Sequence, residues 1–396
     1  MNIYIEQIVL KGNKSLHSSI EDNIDDECRK NLLIQKHILP QLPLKAQTGY
    51  YRDKYLQKTC CDAYDVRKLE LEDVSYFTSD FVAKFCEIHN KELHSLKLKN
   101  VHTDHKLGHL MGFLRAERQP LWLQTLHIEN SPILKVYMGE IIRSLAGNTK
   151  LKHLALVNQM NMQKHLRLLY RSLRDNTTLE HLSLANNEIY EYKHIRKLIQ
   201  KNHVLRTIDV RGNYMNEEIL MEFWESLHMN IELTDLEYDS QDKVLCEKVE
   251  ESIKMELEMN HYIQSNIAVH IQRRKQNSGE YDLSGLHFDN PAALIKYLNH
   301  CNDTLKQESL KVNLSNSDVD KCVLVELTNE LSLRELIIEE LNLSQLQAID
   351  ENLMETISKN LFLQNKNGCS SSVKTIILDN NNITAVDLYN MVDNAA

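Results

Sequence analysis

Histidine is the residue type in this chain whose spacing first suggests chemistry. His153 and His181 occupy the same point in two copies of a recurring phrase, which places them on adjacent strands, and His127 falls one column over. Neutral imidazole is the commonest metal ligand and the side chain that titrates nearest physiological pH. A metal asks for more ligands at close range than this, with carboxylates or thiolates among them. A second group, His102, His105 and His109, could share one helical face, with Asp104 as its single acidic neighbour. Both groups read better as surface histidines. The run Lys11-Gly-Asn-Lys14-Ser15 lacks the upstream glycine of a phosphate loop and falls on a turn. No nucleophile–base pair can be placed by spacing. The expectation is no catalytic residue, no metal and no cofactor.

The elements that would hold these histidines come from the phrase itself. Its clearest copies are Leu179-Glu-His-Leu182-Ser-Leu184-Ala-Asn-Asn187 and Leu205-Arg-Thr-Ile208-Asp-Val210-Arg-Gly-Asn213. Looser copies begin at Val66, Leu93, Leu123, Leu151 and Leu233, so successive starts lie 26 to 30 residues apart by subtraction. A period of this length marks a solenoid, whose units complete one another's cores. Leu182 and Leu184 alternate with His181 and Ser183, so two apolar side chains point inward and the polar ones point out. Asn187 and Asn213 sit where the chain leaves the strand, and a buried amide there would satisfy turn backbone. The rest of each unit is helical, with Ile141, Ile142 and Leu145, or Leu166, Leu169, Tyr170 and Leu173, at three- and four-residue steps.

A second regularity accompanies the first. Asn90, Asn148, Asn176, Asn202 and Asn230 each lie three residues before the next leading leucine, and Asn260 keeps that spacing before Ile263. Asparagine tolerates the left-handed conformation that commonly ends a helix, so these are expected to be helix stops. The fragments SLAGNTKL, SLRDNTTL and LIQKNHVL resemble the ribonuclease-inhibitor-like class of leucine-rich repeat proteins, most specifically over residues 66–263. That resemblance implies an α/β solenoid, a curved horseshoe with a parallel sheet on its concave face and helices on its convex face. It also implies protein binding as the role.

Composition narrows the classes further. The 396 residues suffice for about a dozen such units, or for two or three ordinary domains. A net charge of −10 disfavours general nucleic-acid binding. The sequence contains no apolar run long enough for a membrane span, and Glu6 and Gln7 interrupt the N-terminal apolar stretch, against a cleavable signal. The eight cysteines have neither framework spacing nor a C-x-x-C, which fits a reducing cytoplasmic setting. Residues 1–65 read as an irregular N-terminal repeat or cap with a helical insertion, although Ile5-Glu-Gln-Ile8-Val-Leu10-Lys-Gly-Asn13 already fits the strand template. Residues 66–267 form the regular array, and 268–280 a basic polar linker or irregular turn ending a long helical stretch from Asp242. Degenerate repeats then fill 281–396, with strands expected at Tyr281–Leu283, Val312–Leu314, Leu336–Ile338 and Ile376–Leu378.

Taken across the strands, the outward residues make a grid from Lys68, Glu70 and Glu72 through to Asp235, Glu237 and Asp239. Its middle is histidine-bearing and nearly uncharged, and its far end is acidic. The candidate partner-binding residues are His127, His153, His181, Asp209, Arg211, Asp235, Glu237 and Asp239. The acidic end would favour a partner protein with a basic surface. The expected function is a non-enzymatic interaction scaffold. Two other classes stay open. Residues 32–45 are faintly similar to the middle of an F-box, an adaptor of ubiquitin ligases, and the irregular C-terminal region could hold an enzyme. Cys60-Cys61-Asp62 shares the C-x-D spelling of bacterial ubiquitin ligases that carry leucine-rich repeats, but the helical catalytic domain those require has no counterpart here. The Asn-, Lys- and Ile-rich texture also resembles repeat proteins that intracellular bacteria send into host cytosol.

Overall fold

The computed structural model describes residues 7–11, 68–72, 75–77, 93–100, 102–103, 123–131, 135–268, 280–288, 290–305, 310–333, 338–362 and 373–381. The chain divides into two compact units, Met1–Ser226 with Asp235–Glu251, and Leu227–Thr234 with Ser252–Ala396. Both are α/β, with parallel strands alternating with helices. Among the described residues, no helix is long and apolar enough to cross a membrane.

The first unit holds an eight-stranded parallel sheet whose strands follow chain order. They are β1 (Gln7–Lys11), β2 (Lys68–Glu72), β3 (Ser95–Lys99), β4 (Thr125–Glu129), β5 (His153–Val157), β6 (His181–Ser183), β7 (Thr207–Asp209) and β8 (Asp235–Glu237). The leucine template sets the register. Leu96 pairs with Leu126, and Leu154, Leu182, Ile208 and Leu236 continue the row. Every residue of that row is buried, as is the second row Leu98, Ile128, Leu156, Leu184 and Val210. β1 joins in phase, Ile8 opposite Leu69, so the template's first copy does form a strand. Behind the sheet lie α1 (Lys135–Ser144), α2 (Leu166–Leu173), α3 (Lys193–Lys201) and α4 (Glu217–His228). Their buried residues, such as Ile141, Leu169, Leu198 and Phe223, keep the three- and four-residue steps that aim one face at the leucine rows.

The asparagines before each strand do cap helices at Asn148 and Asn202, but not in the left-handed conformation expected. Asn148 and Asn202 are extended, with φ −80° and −93°, and Asn176 and Asn230 are not among the residues with positive φ. Their side chains do the work instead. Asn176 Oδ1 accepts the backbone N–H of Thr178 and Leu179, while its Nδ2 donates to the carbonyls of Leu145 and Asn148. Asn202 repeats the pattern one unit on, accepting from Val204 and Leu205 and donating to Leu173 and Asn176. Each amide therefore ties its unit to the one before it, with donors and acceptors that burial would otherwise leave unpaired. The left-handed corners lie elsewhere, at the ends of the strands: Asn100, Asn130, Asn158, Asn186 and Gly212. Asn187 and Asn213, one residue further, form a second tie. Their Nδ2 groups donate to the carbonyls of Leu156 and Leu184 in the preceding unit.

The second unit carries a four-stranded parallel sheet of β9 (Glu280–Asp282), β10 (Leu310–Asn313), β11 (Ile338–Asn342) and β12 (Thr375–Ile377). Tyr281, Val312, Leu341 and Ile376 make its inward row. The strand expected at Leu336–Ile338 is displaced toward the C-terminus. Ile338 takes the leading position, Leu341 and Leu343 the two inward ones, and all three are fully buried. Leu333, Leu336 and Ile338 satisfy the same template as Ile338, Leu341 and Leu343, and only pairing with a neighbour selects between them. Asn260 is a further correction. α5 (Lys243–Tyr262) runs through it and continues as a π-helical turn to Ala268, so no helix stops there. Its amide donates to Leu233 O and accepts from Lys296 Nζ on α6 (Pro291–Leu305). Lys296 also meets Glu256 at 2.5 Å with both side chains about one-tenth exposed, and His228 holds the other Glu256 oxygen at 2.6 Å. Burial pulls the Lys296 ammonium pKa down, and Glu256 opposes that shift.

Candidate functional site

The sheet face of the first unit is built by alternation. Since each inward leucine row is fixed, the residues between must point outward, and strand pairing stacks them in columns. One column runs Lys68, Ser95, Thr125, His153, His181, Thr207, Asp235, and the next Glu70, Lys97, His127, Ala155, Ser183, Asp209, Glu237. Across β4 to β8 these side chains line an open depression of about 360 Å³. Thr125, His127, His153, Ala155, His181, Ser183, Thr207, Asp209 and Glu237 contribute to its wall.

The depression has a middle without carboxylate, lysine or arginine side chains between two margins that contain ion pairs. On one side, Lys97 reaches Glu70 at 3.8 Å, and Lys99 lies between Glu72 at 3.8 Å and Glu129 at 3.3 Å. His127 Nε2 joins this lattice at 3.0 Å from Glu129. Burial would raise the Glu129 pKa, but the bonds from His127 and Lys99 win and hold it below the usual carboxylate value. In the middle, the rings of His153 and His181 stack 4.2 Å apart and 3° from parallel. Burial first, and His181 second, push the His153 pKa down, so His153 favours the uncharged state. Stacked parallel rings offer a flat apolar surface, not a chelate. Among the described residues no cluster of three or more His, Cys, Asp or Glu is placed to hold a metal.

The acidic margin is partly ion-paired. Arg211 stands between Asp209, at 2.9 Å, and Glu237, at 2.6 Å. Ser183 donates a further bond to Asp209, whose side chain is only 13% exposed. Burial raises the Asp209 pKa, and the bonds from Arg211 and Ser183 outweigh it, leaving the carboxylate more acidic than usual. Asp239 accepts the Gly212 backbone N–H at 2.8 Å, a corner bond that the other units make to a backbone carbonyl. β6, β7 and β8 are three residues long, so the third column ends early. Ala185, the residue after Leu184, is buried, and Arg211 and Asp239 belong to corners. The structure thus brings His127, His153, His181, Asp209 and Glu237 to one depression. Asp235 stands at the start of the edge strand, exposed, at the end of the column that carries His153 and His181.

Some features escape the template. Asn130 donates to Asn100 at 2.5 Å and Asn158 to Asn130 at 2.8 Å, an exposed amide ladder beside the face. Met160, Tyr190 and Tyr214 are exposed on the loops that follow β5, β6 and β7. Their signal in the sequence was an apolar side chain shortly after the strand-ending asparagine, where a solvent loop gains nothing from one. Residues 32–45, Cys60-Cys61-Asp62, Asn90, His105, His109 and the basic run 272–277 lie outside the described residues.

No family model matches the sequence, and no curated protein matches it. Among solved structures the chain is similar to one titled Leiomodin-1 Actin-Binding Site 2, at 20% identity and a TM-score of 0.34, over 39% of this chain and 90% of that one. It is also similar to the tropomodulin C-terminal domain from Caenorhabditis elegans, at 18% identity and a TM-score of 0.25, over 36% and 100% of the two chains. At such values neither likeness bears on what this chain binds.

Proposed function

We propose that this chain is a leucine-rich repeat protein of the ribonuclease-inhibitor-like class, working without catalysis as a scaffold that binds a protein partner. In this reading each unit is a solenoid, and the sheet face of the first is its concave binding surface. The observation that carries the reading is the depression over β4–β8, whose centre offers stacked imidazoles, Ala155 and threonines while its charged neighbours are already paired. Uncharged, partly apolar surface ringed by polar groups is what the centre of an interface requires. The polar groups there are bonded to one another, Ser183 to Asp209 and His127 to Glu129, which suits recognition better than proton transfer. A reducing, cytoplasmic setting belongs to the same proposal, with Cys246 and Cys301 as buried free thiols.

The test is affinity capture from lysate with chemical cross-linking, comparing wild type with Ala155→Glu and with Lys197→Ser on the exposed side of α3. A partner cross-linked to β4–β8, lost with Ala155→Glu and kept with Lys197→Ser, is the expected outcome. Partners that bind Ala155→Glu as well as wild type would place the binding surface elsewhere.

A further inference from the structure

We propose that the row of strand-to-helix loops beside the sheet face, displaying Tyr190, Tyr214 and Met160, docks an extended, arginine- or lysine-bearing segment of a partner protein. This deepens the reading of the first unit as a protein-binding array and rests on it. Met160 is 75% exposed, Tyr190 60% and Tyr214 46%. One such residue on a surface is ordinary, but three on consecutive loops of a stack form a strip.

The loops adjoin one another through specific bonds. Gln159 N–H donates to Asn187 Oδ1, and Gln163 Oε1 accepts the N–H groups of Tyr190 and Glu191. Asn213 Oδ1 accepts from Asn187 and Ile189, and Tyr214 N–H donates to Ile189 O. The strip's backbone is therefore held in place before any partner arrives, which lowers the ordering cost of binding. Tyrosine adds contact area with few torsions to freeze, and its ring face attracts a guanidinium or ammonium.

Charge selects the partner. Exposed Glu188 and Glu191 flank Tyr190, and exposed Asp239, which follows β8, accepts the Gly212 N–H of the Tyr214 loop. Glu188 is held at φ 54°, a left-handed conformation that a glutamate enters at a cost. Arg211, at the corner beside these loops, is already held between Asp209 and Glu237. Aromatic faces among carboxylates fit a cationic peptide with apolar side chains between its charges.

Fluorescence anisotropy with the full chain tests this, using labelled synthetic peptides of alternating arginine and leucine, lysine and leucine, or glutamate and leucine. The arginine peptide should bind, the lysine peptide bind more weakly, and the glutamate peptide fail. The double variant Tyr190→Ser, Tyr214→Ser should weaken arginine-peptide binding by about tenfold or more, while the Tyr→Phe pair retains it and Lys197→Ser leaves it unchanged. Wild type binding none of the peptides, or the glutamate peptide equally well, overturns the inference. So does a Ser pair that binds like wild type. If in that case Ala155→Glu removes peptide binding, the sheet face is the site and the broader reading stands without the rim.

Discussion

Asn176 shows how a residue can be recognised by spacing and misassigned in mechanism. A helix stop would need its backbone in the left-handed region; the ladder needs its side chain. The two accounts part at glycine, which adopts the left-handed conformation freely but has no amide. Asn176→Val and Asn176→Gly should both lower the unfolding free energy in urea, each by roughly 2–4 kcal/mol, since several buried backbone groups lose partners worth about 1–3 kcal/mol each. A glycine variant as stable as wild type would restore the helix-stop account. His153 makes a second prediction. Its pKa in the folded chain lies below the ordinary histidine value, so the unfolded chain takes up the proton first as pH falls. The fold keeps its full advantage above that ordinary value and loses it as pH drops toward the folded one. Thermal midpoints of His153→Gln should thus depend less on pH than those of wild type between about pH 5 and 7.

Elements were legible where pattern alone fixes them. The strands from β3 to β7 formed with the expected inward and outward residues, because slipping by one position would turn every leucine to solvent. What failed was whatever depends on a partner: the choice between two overlapping templates at β11, the continuation of α5 through Asn260, and Arg211 folding back onto the carboxylates. None of these is written in a single segment. The corner after β7 illustrates the same dependence. Gly212 has φ 67°, and a Cβ there would lie 1.8 Å from Asn186 Oδ1. Gly212→Ala should cost about 1–3 kcal/mol, and adding Asn186→Ala should recover only the part due to the clash, as a double-mutant cycle in urea would measure. In the second unit, α5 and α6 share the Lys296–Glu256 pair. Lys296→Met should destabilise by about 3 kcal/mol or more, because it leaves a buried carboxylate behind, and Glu256→Gln in the same chain should restore much of that loss. Equal stability of the single and double variants would show that the pair is not buried in solution.

At the scale of the molecule, function was less legible than fold because a face is assembled from residues far apart in sequence. Asp209, Arg211 and Glu237 read as mixed charge along the chain, and only pairing of β7 with β8 shows them to be one ion-paired group. The repeated amide tie has a consequence for how such a chain can change over generations. Asn176 and Asn202 present the same donors backward and the same acceptors forward, so the seam between units is interchangeable. Recombination that excises residues 177–202 would join Asn176 to His203, with Val204 and Leu205 at the positions its Oδ1 now serves through Thr178 and Leu179. Asn213 would inherit from Asn187 the bond to Gln159. The shortened protein should fold, with far-ultraviolet circular dichroism scaled to its length, while a deletion of about half a period, such as residues 177–189, should not. Length would then be a trait that recombination can alter one whole period at a time, without inventing a new core.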